Sequence, residues 1–293
     1  MRYARFQADG DPAIGLVDGS DVIAIQSLLP GAPGSLKEII QAGEPLQNAI
    51  QTRLLKGAGE RRPLADVHLL MPIPEPGKIV CLGLNYADHA KEGGHQLPTY
   101  PSLFLRANSS LIGPNESMIV PRCSERLDYE AELLVVIGKT CRHVAENAAL
   151  GVIFGYSAFN DGSIRDYQRR TAQWTAGKNF DGTGAFGPYV VTADELPAGA
   201  AGLGVRSRLN GRILQDSNTD RMIFNVPRTI AILSEIMTLE PGDLIATGTP
   251  EGVGHARTPP LWLKAGDTIS VEIDQIGVLS NPVASELGVR AAA

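Results

Sequence analysis

Asp128-Tyr129-Glu130-Ala131-Glu132 runs directly into Leu133-Leu134-Val135-Val136-Ile137. The apolar continuation reads as a strand over Leu127–Ile137 that enters a core. Side chains alternate along a strand, and residues i and i+2 lie about 7 Å apart. Glu130 and Glu132 therefore project together, with Ala131 and Leu133 on the opposite face. Two carboxylates at the mouth of a core repel one another unless a cation or a proton compensates. A surface strand with solvated glutamates is the alternative.

A third acid ends another apolar segment. Ile153-Phe154-Gly155-Tyr156-Ser157-Ala158-Phe159-Asn160-Asp161 stops at Gly162. Asp161 either caps the next segment or completes a set of three oxygen ligands. Such a set suits Mg2+ or Mn2+, which take about six oxygens and leave positions for water or substrate. It does not suit structural zinc. Tyr86–Glu92, read as a short helix, places His89 and Glu92 on one face at i and i+3. A carboxylate beside an imidazole raises its basicity, as in a water-activating dyad. Gly93-Gly94 would let this segment move as a lid. A surface helix with an incidental ion pair is the competing reading.

The 293 residues exceed one average domain. A small unit is expected over 1–72 and a larger one over 73–293. The first carries strands at Arg2–Phe6, Ala13–Val17 and Val22–Ile25. A helix comes next, opened by a Ser35/Glu38 capping box, and then a second at Pro45–Lys56. Pro72–Gly77 is a rigid linker. Beyond it, strands are expected at Lys78–Gly83, Val190-Val191, Val205–Leu209, Leu244–Thr247 and Ile269–Ile273. Asn210-Gly211 marks a hairpin. Pro227 opens a helix with Ile230, Leu233, Ile236 and Met237 on one face. The tail 288–293 is expected to be loose. With 32 Gly, 20 Pro and 5% aromatics, the chain reads as mainly β with α, an α+β protein with short peripheral helices.

Charge excludes some partners. Lys and Arg number 26 against 32 acids, a net −6. No basic run exceeds Arg169-Arg170, so no nucleic-acid surface is expected. No apolar run approaches the roughly 18 residues of a membrane helix, and no secretory signal opens the chain. Cys81, Cys123 and Cys141 read as buried thiols in a reducing compartment, most simply the cytoplasm. Gly182–Gly187 matches GxGxxG, but a strand comes after it rather than a helix, so the dinucleotide reading fails. Gly248-Thr249-Pro250-Glu251-Gly252-Val253-Gly254 is a glycine-rich loop after a strand. It is either plain turn chemistry or a cradle for a substrate carboxylate.

Together these segments resemble the fumarylacetoacetate hydrolase family. The motifs are Gly83-Leu84-Asn85-Tyr86 with His89 and Glu92; Leu127–Leu133; Asn160-Asp161; Arg165–Gln168; Gly177–Asp181; and Gly242-Asp243 leading to Gly248–Gly254. The resemblance spans about Lys78 to Val283. It implies a mixed β-sandwich roll after a small N-terminal α/β domain, usually as a homodimer. It also implies Mg2+ or Mn2+ held by Glu130, Glu132 and Asp161. His89 and Glu92 match the lid dyad, Gln168 and Lys178 match substrate-contacting positions, and Thr249 matches a carboxylate-binding position. Two stretches depart from the family pattern: Asp161-Gly162-Ser163-Ile164-Arg165, and Arg106-Ala107 where Lys is usual. Both are expected to bear on substrate fit and not to touch the ligands. The implied activity is C–C hydrolysis of a small acylpyruvate-type 2-oxo acid. His89, assisted by Glu92, activates water, Lys178 neutralises developing charge, and the metal stabilises an enolate. Oxaloacetate decarboxylation and 2-oxo-diacid isomerisation use the same enolate sink. A non-catalytic binding protein on this fold is the remaining alternative, and the intact acidic set argues against it.

Overall fold

The computed structural model describes residues 1–8, 10–94 and 96–288. Tail residues 289–293 lie outside the described residues, and Gly288 closes a last 3-10 turn.

Strands β1 (Arg2–Gln7), β2 (Ala13–Asp18) and β3 (Asp21–Ala24) form an antiparallel meander. The third ends one residue before the expected Ile25, which opens a single helical turn instead. Helix α1 (Leu36–Ala42) begins where the capping box places it. Ser35 Oγ accepts the Glu38 N–H at 3.2 Å and donates to the Glu38 carboxylate at 2.8 Å. Helix α2 (Glu44–Leu55) is next. After the proline-rich link come β4 (Ile79–Gly83), α3 (Ala87–Glu92) and β5 (Ser102–Leu105). The rest is built from β6 (Ala131–Ile137), β7 (Ile153–Asp161), β8 (Gly184–Thr192), β9 (Gly204–Leu209), β10 (Arg212–Asn218), α4 (Val226–Ile236), β11 (Leu244–Ala246), β12 (Thr268–Ile273) and β13 (Gly277–Ser285).

Among the described residues, one large sheet runs Arg61–Pro63, β3, β2, β1, β8, β7, β6, β11, β4, β5. A second, five-stranded sheet runs β10, β9, β12, β13, Met118–Val120. The segment 1–72 shares the large sheet with the rest, because β1 pairs antiparallel with β8 (Tyr3 opposite Val190). Strand β6 lies mid-sheet and is buried on both faces. Leu133, Val135 and Ile137 pack toward Val205 and Val271 of the second sheet and toward Ile230 and Leu233 of α4. Leu134 and Val136 pack toward Tyr3, Ile14, Ile39 and Phe186. This two-sided burial explains the unbroken apolar run of β6.

Further expectations are corrected. Leu127–Ile137 is not one strand. Leu127-Asp128 pairs with Ser163-Ile164, and the chain breaks at Tyr129-Glu130 before β6 begins. Ile236 is 47% exposed and Met237 lies beyond α4, so the buried stripe is carried by Val226, Ile230 and Leu233. Cys123 is exposed, in the turn after Met118–Val120, whereas Cys81 and Cys141 are buried. The Asn210-Gly211 hairpin is present, both residues at positive φ as its two-residue turn requires. Among the described residues, no helix is long and apolar enough to cross a membrane.

Candidate active site

Strand pairing brings the three acids together. Ala131 stands opposite Asn160 in the β6–β7 ladder. Next to that pair, Asp161 N–H donates to Glu130 O at 3.0 Å, and Glu130 N–H donates to Asn160 Oδ1 at 3.0 Å. Glu130 is thus fixed at the strand break by its neighbour strand rather than by continuation of β6. Glu130, Glu132 and Asp161 are all buried, and one oxygen from each lies within 4.8 Å of the others. The alternative of solvated glutamates is excluded by that burial.

Three cations surround them. Lys178, 2% exposed, reaches Glu130 Oε2 at 2.7 Å and Asp161 Oδ2 at 2.6 Å. Its ammonium lies 5.0 Å from the centre of the Phe104 ring. Arg165 donates from Nη2 to Glu130 Oε1 at 2.6 Å and from Nε to Asp128 Oδ2 at 2.8 Å. Arg106 pairs with Asp161 and donates to Gly162 O at 3.1 Å. The Arg106 departure therefore does touch a predicted ligand. Its guanidinium fits because Gly184 has no side chain: a Cβ there would stand 2.7 Å from Nη2.

The acids are not equivalent. Burial disfavours the Glu130 charge, but Lys178 and Arg165 outweigh it and hold the carboxyl below the usual glutamate range. Glu132 has no cationic partner among the described residues and accepts one hydrogen bond, from Gly248 N–H at 2.8 Å. Burial, then repulsion from Asp161 and Glu130, pushes its carboxyl well above the ordinary range. Lys178 stays protonated above its usual range, since Asp161 and Glu130 outweigh its burial. Gly248 can present its N–H because it adopts φ +93°.

Strand β4 runs parallel to β11, so the loops after them meet at one end of the sheet. Helix α3 lies there. His89 Nδ1 is 3.3 Å from Glu92 Oε2, and the Glu92 carboxylate also accepts the Gly252 N–H at 3.0 Å. His89 is buried, so this helix is not merely a surface one. A cavity of about 180 Å3 is lined by Glu130, Glu132, His89, Lys178, Gln168 and Thr249 among others. All the predicted site residues except Glu92 and Asp161 line it, and those two contact ones that do. Gln168 Oε1 accepts from Arg165 Nη1 at 2.9 Å, and among the described residues its amide NH2 has no partner. Thr249 differs from expectation. Its hydroxyl donates to Ala131 O at 3.0 Å and accepts from Gln215 Nε2 at 2.8 Å, so it anchors the loop to β6.

Residues outside the predicted set complete the site. Besides Arg106 and Arg165, Asp128 accepts from Gly254 N–H at 2.7 Å and lies 3.2 Å from His255 Nδ1. Trp174 covers Gly83, where a Cβ would lie 2.0 Å from its ring. Asp128 and Arg165 stood inside motifs already singled out. Arg106 was marked only as a departure from the family pattern, and nothing local to the sequence marked His255 or Trp174.

The family profile described as "Fumarylacetoacetate (FAA) hydrolase C-terminal" matches residues 78–284. The chain belongs to the fumarylacetoacetate hydrolase family. A second profile, "Rv2993c-like, N-terminal", matches residues 1–72. The mitochondrial oxaloacetate tautomerase fahd2 of Xenopus laevis is 39% identical over 97% of this chain and 90% of its own length. The fumarylacetoacetate hydrolase structure from Exiguobacterium antarcticum superposes with a TM-score of 0.85 at 37% identity, over 98% of this chain and all of that one. Maleylpyruvate hydrolase from Sphingobium sp. SYK-6, solved with manganese(II) and pyruvate, gives 0.81 at 34% identity, over 97% of this chain and 99% of that one.

Proposed function

We propose that this protein is a divalent-metal enzyme of short 2-oxo acids, and first a keto–enol tautomerase of the oxaloacetate type. The observation that carries the reading is the buried convergence of Glu130, Glu132 and Asp161 beside Lys178 and His89. Three hard carboxylates, one of them without a cation of its own, match the donor preference of Mg2+ or Mn2+. An ion held by those three residues would supply Lewis-acid polarisation of a 2-oxo carbonyl. Arg106, Arg165 and Lys178 face four buried carboxylates, counting Asp128. A divalent charge reverses that balance and fits the pocket to an anion.

The chain's own groups supply the proton chemistry. With Nδ1 turned to Glu92, Nε2 of His89 is the ring atom that takes the proton from the substrate carbon beside the 2-oxo group. Glu92 stabilises the imidazolium that results. The Lys178 ammonium, in a dry site, offsets negative charge that develops on the 2-oxo oxygen. The Gln168 amide NH2 orients the substrate. Tautomerisation ranks first because curated relatives matching nearly end to end are oxaloacetate tautomerases.

A second reading is C–C hydrolysis of an acylpyruvate. The His89–Glu92 pair favours it, since the same base activates water, and so do the solved hydrolase neighbours. Proton NMR separates the two. The tautomerase reading expects metal-dependent exchange of the oxaloacetate methylene protons into D2O above background. The hydrolase reading expects pyruvate released from acylpyruvates. Both vanish on stringent chelation and in Glu130→Ala. Turnover that survives either treatment, or none with either substrate class, overturns the proposal.

A further inference from the structure

A second cavity, of about 470 Å3, adjoins the catalytic one and shares Arg165, Arg169 and His255 with it. Its remaining wall includes Arg126, Asp166 and Trp262. Lys178, Arg165 and Arg106 are committed to the acids of the catalytic site. In this annex the position differs. Arg165 is occupied by Asp128, Glu130 and Gln168. His255 is held at Asp128. Asp166, the one acid of the wall, accepts the Ser124 hydroxyl at 2.6 Å. Neither the Arg126 nor the Arg169 guanidinium has any partner among the described residues. Adjacent Arg170 shows the contrast, since it stacks on Tyr167 at 3.6 Å.

The backbone places Arg126 and Arg169 at the same cavity. Arg165 N–H donates to Arg126 O at 3.1 Å, and Arg169 N–H donates to Arg165 O at 3.2 Å. They therefore flank the cavity from two separate chain segments. Half-buried Trp262 supplies an apolar surface beside them. Paired guanidiniums next to an apolar face suit a carboxylate at the end of a short methylene chain.

We infer that Arg126 and Arg169 form a subsite for the far carboxylate of the substrate, a specificity-determining pair that lets the site accept 2-oxo diacids with a spacer, longer than oxaloacetate. The inference rests on the 2-oxo acid reading above and deepens it. The reacting end occupies the cage pocket and the chain passes the Arg165–His255 wall into the annex.

Butyrylpyruvate and succinylpyruvate test this. Both are seven-carbon 2,4-dioxo acids, and they differ only in a terminal methyl or carboxylate. Titration calorimetry with Mg2+-replete protein should show succinylpyruvate binding at least tenfold tighter. In R126M/R169M the ratio of the two dissociation constants should fall at least tenfold, toward one. R126K/R169K should recover part of it. Both side chains are exposed, and unchanged melting temperatures would confirm folding of the variants. No preference in the wild type, or an unchanged ratio in the methionine variant, overturns the subsite. If the preference holds and collapses as stated while neither compound is turned over, the subsite stands and the catalytic reading falls.

Discussion

Glu132 is the carboxylate that its surroundings compensate least. In metal-free protein its charge is opposed by burial and by two neighbouring acids. Glu132→Gln removes that repulsion while keeping an oxygen for the Gly248 N–H. The metal-free variant should be as stable as the wild type or more so, by about 1–2 kcal/mol. Mn2+ should raise the melting temperature of the wild type and not of the variant, because a ligand that binds only the native state stabilises it. Equal Mn2+ shifts in calorimetry would remove Glu132 from the ligand set. Asp128 behaves oppositely. Burial opposes its charge, yet Arg165 and the His255 contact win, and its carboxyl titrates below the usual aspartate range. A depressed folded value means stability that is complete above the unfolded value and is lost as pH falls through the folded one. Asp128→Asn should therefore cost about 3 kcal/mol at neutral pH, because buried Arg165 loses one of its two carboxylates and keeps only Glu130. The difference from wild type should shrink below about pH 4, near the unfolded aspartate value. Urea titrations at both pH values check this, and a penalty that persists undiminished in acid would contradict it. The acids were legible in the sequence because a period of two and the end of an apolar run are local signals. Arg106 was not. It meets Asp161 across 55 positions, through space made by an absent side chain at Gly184.

Helix α3 is six residues long, too short to be stable by itself, so its contacts must hold it. Glu92 supplies one, through the Gly252 N–H of the glycine-rich loop, and the same carboxylate faces His89. Tethering and basicity are thus joined in one side chain. Glu92→Gln separates them, since the amide oxygen still accepts from Gly252 but carries no charge. We expect KM to change little and kcat to fall about 10–100-fold, as for weakened base catalysis. Glu92→Ala should lose both, with faster hydrogen exchange at Gly252. If the glutamine variant kept full kcat, the dyad would be a tether alone. Elements with a periodic apolar face or a marked turn were legible, among them β12, the Asn210-Gly211 hairpin and α1 with its cap. The split between Leu127-Asp128 and β6 was not, because the apolar pattern continues across it while the partner strand changes from Ser163-Ile164 to β7.

The order of strands in the large sheet could not be read from the chain, since β1 and β8 pair across nearly 190 residues and no local pattern encodes that. The consequence is mechanical. Tyr3 of β1 is fully buried and packs 5.5 Å from the Phe154 ring of β7, the strand that ends in Asp161. The division near residue 72 is therefore proposed as one of sequence, with a single cooperative unit spanning it. The two tryptophans, Trp174 and Trp262, both lie beyond that division. Their fluorescence reports on the larger part, whereas far-ultraviolet circular dichroism reports on the whole. Tyr3→Ala should cost about 3–5 kcal/mol, the usual range for truncating a large buried ring. In urea both signals should shift to the same lower midpoint, as all-or-none unfolding demands. If the dichroism shifts while the fluorescence midpoint stays, the two parts fold independently. In that case the β1–β8 seam is a contact between domains, and the strand carrying Asp161 draws none of its rigidity from the first 72 residues.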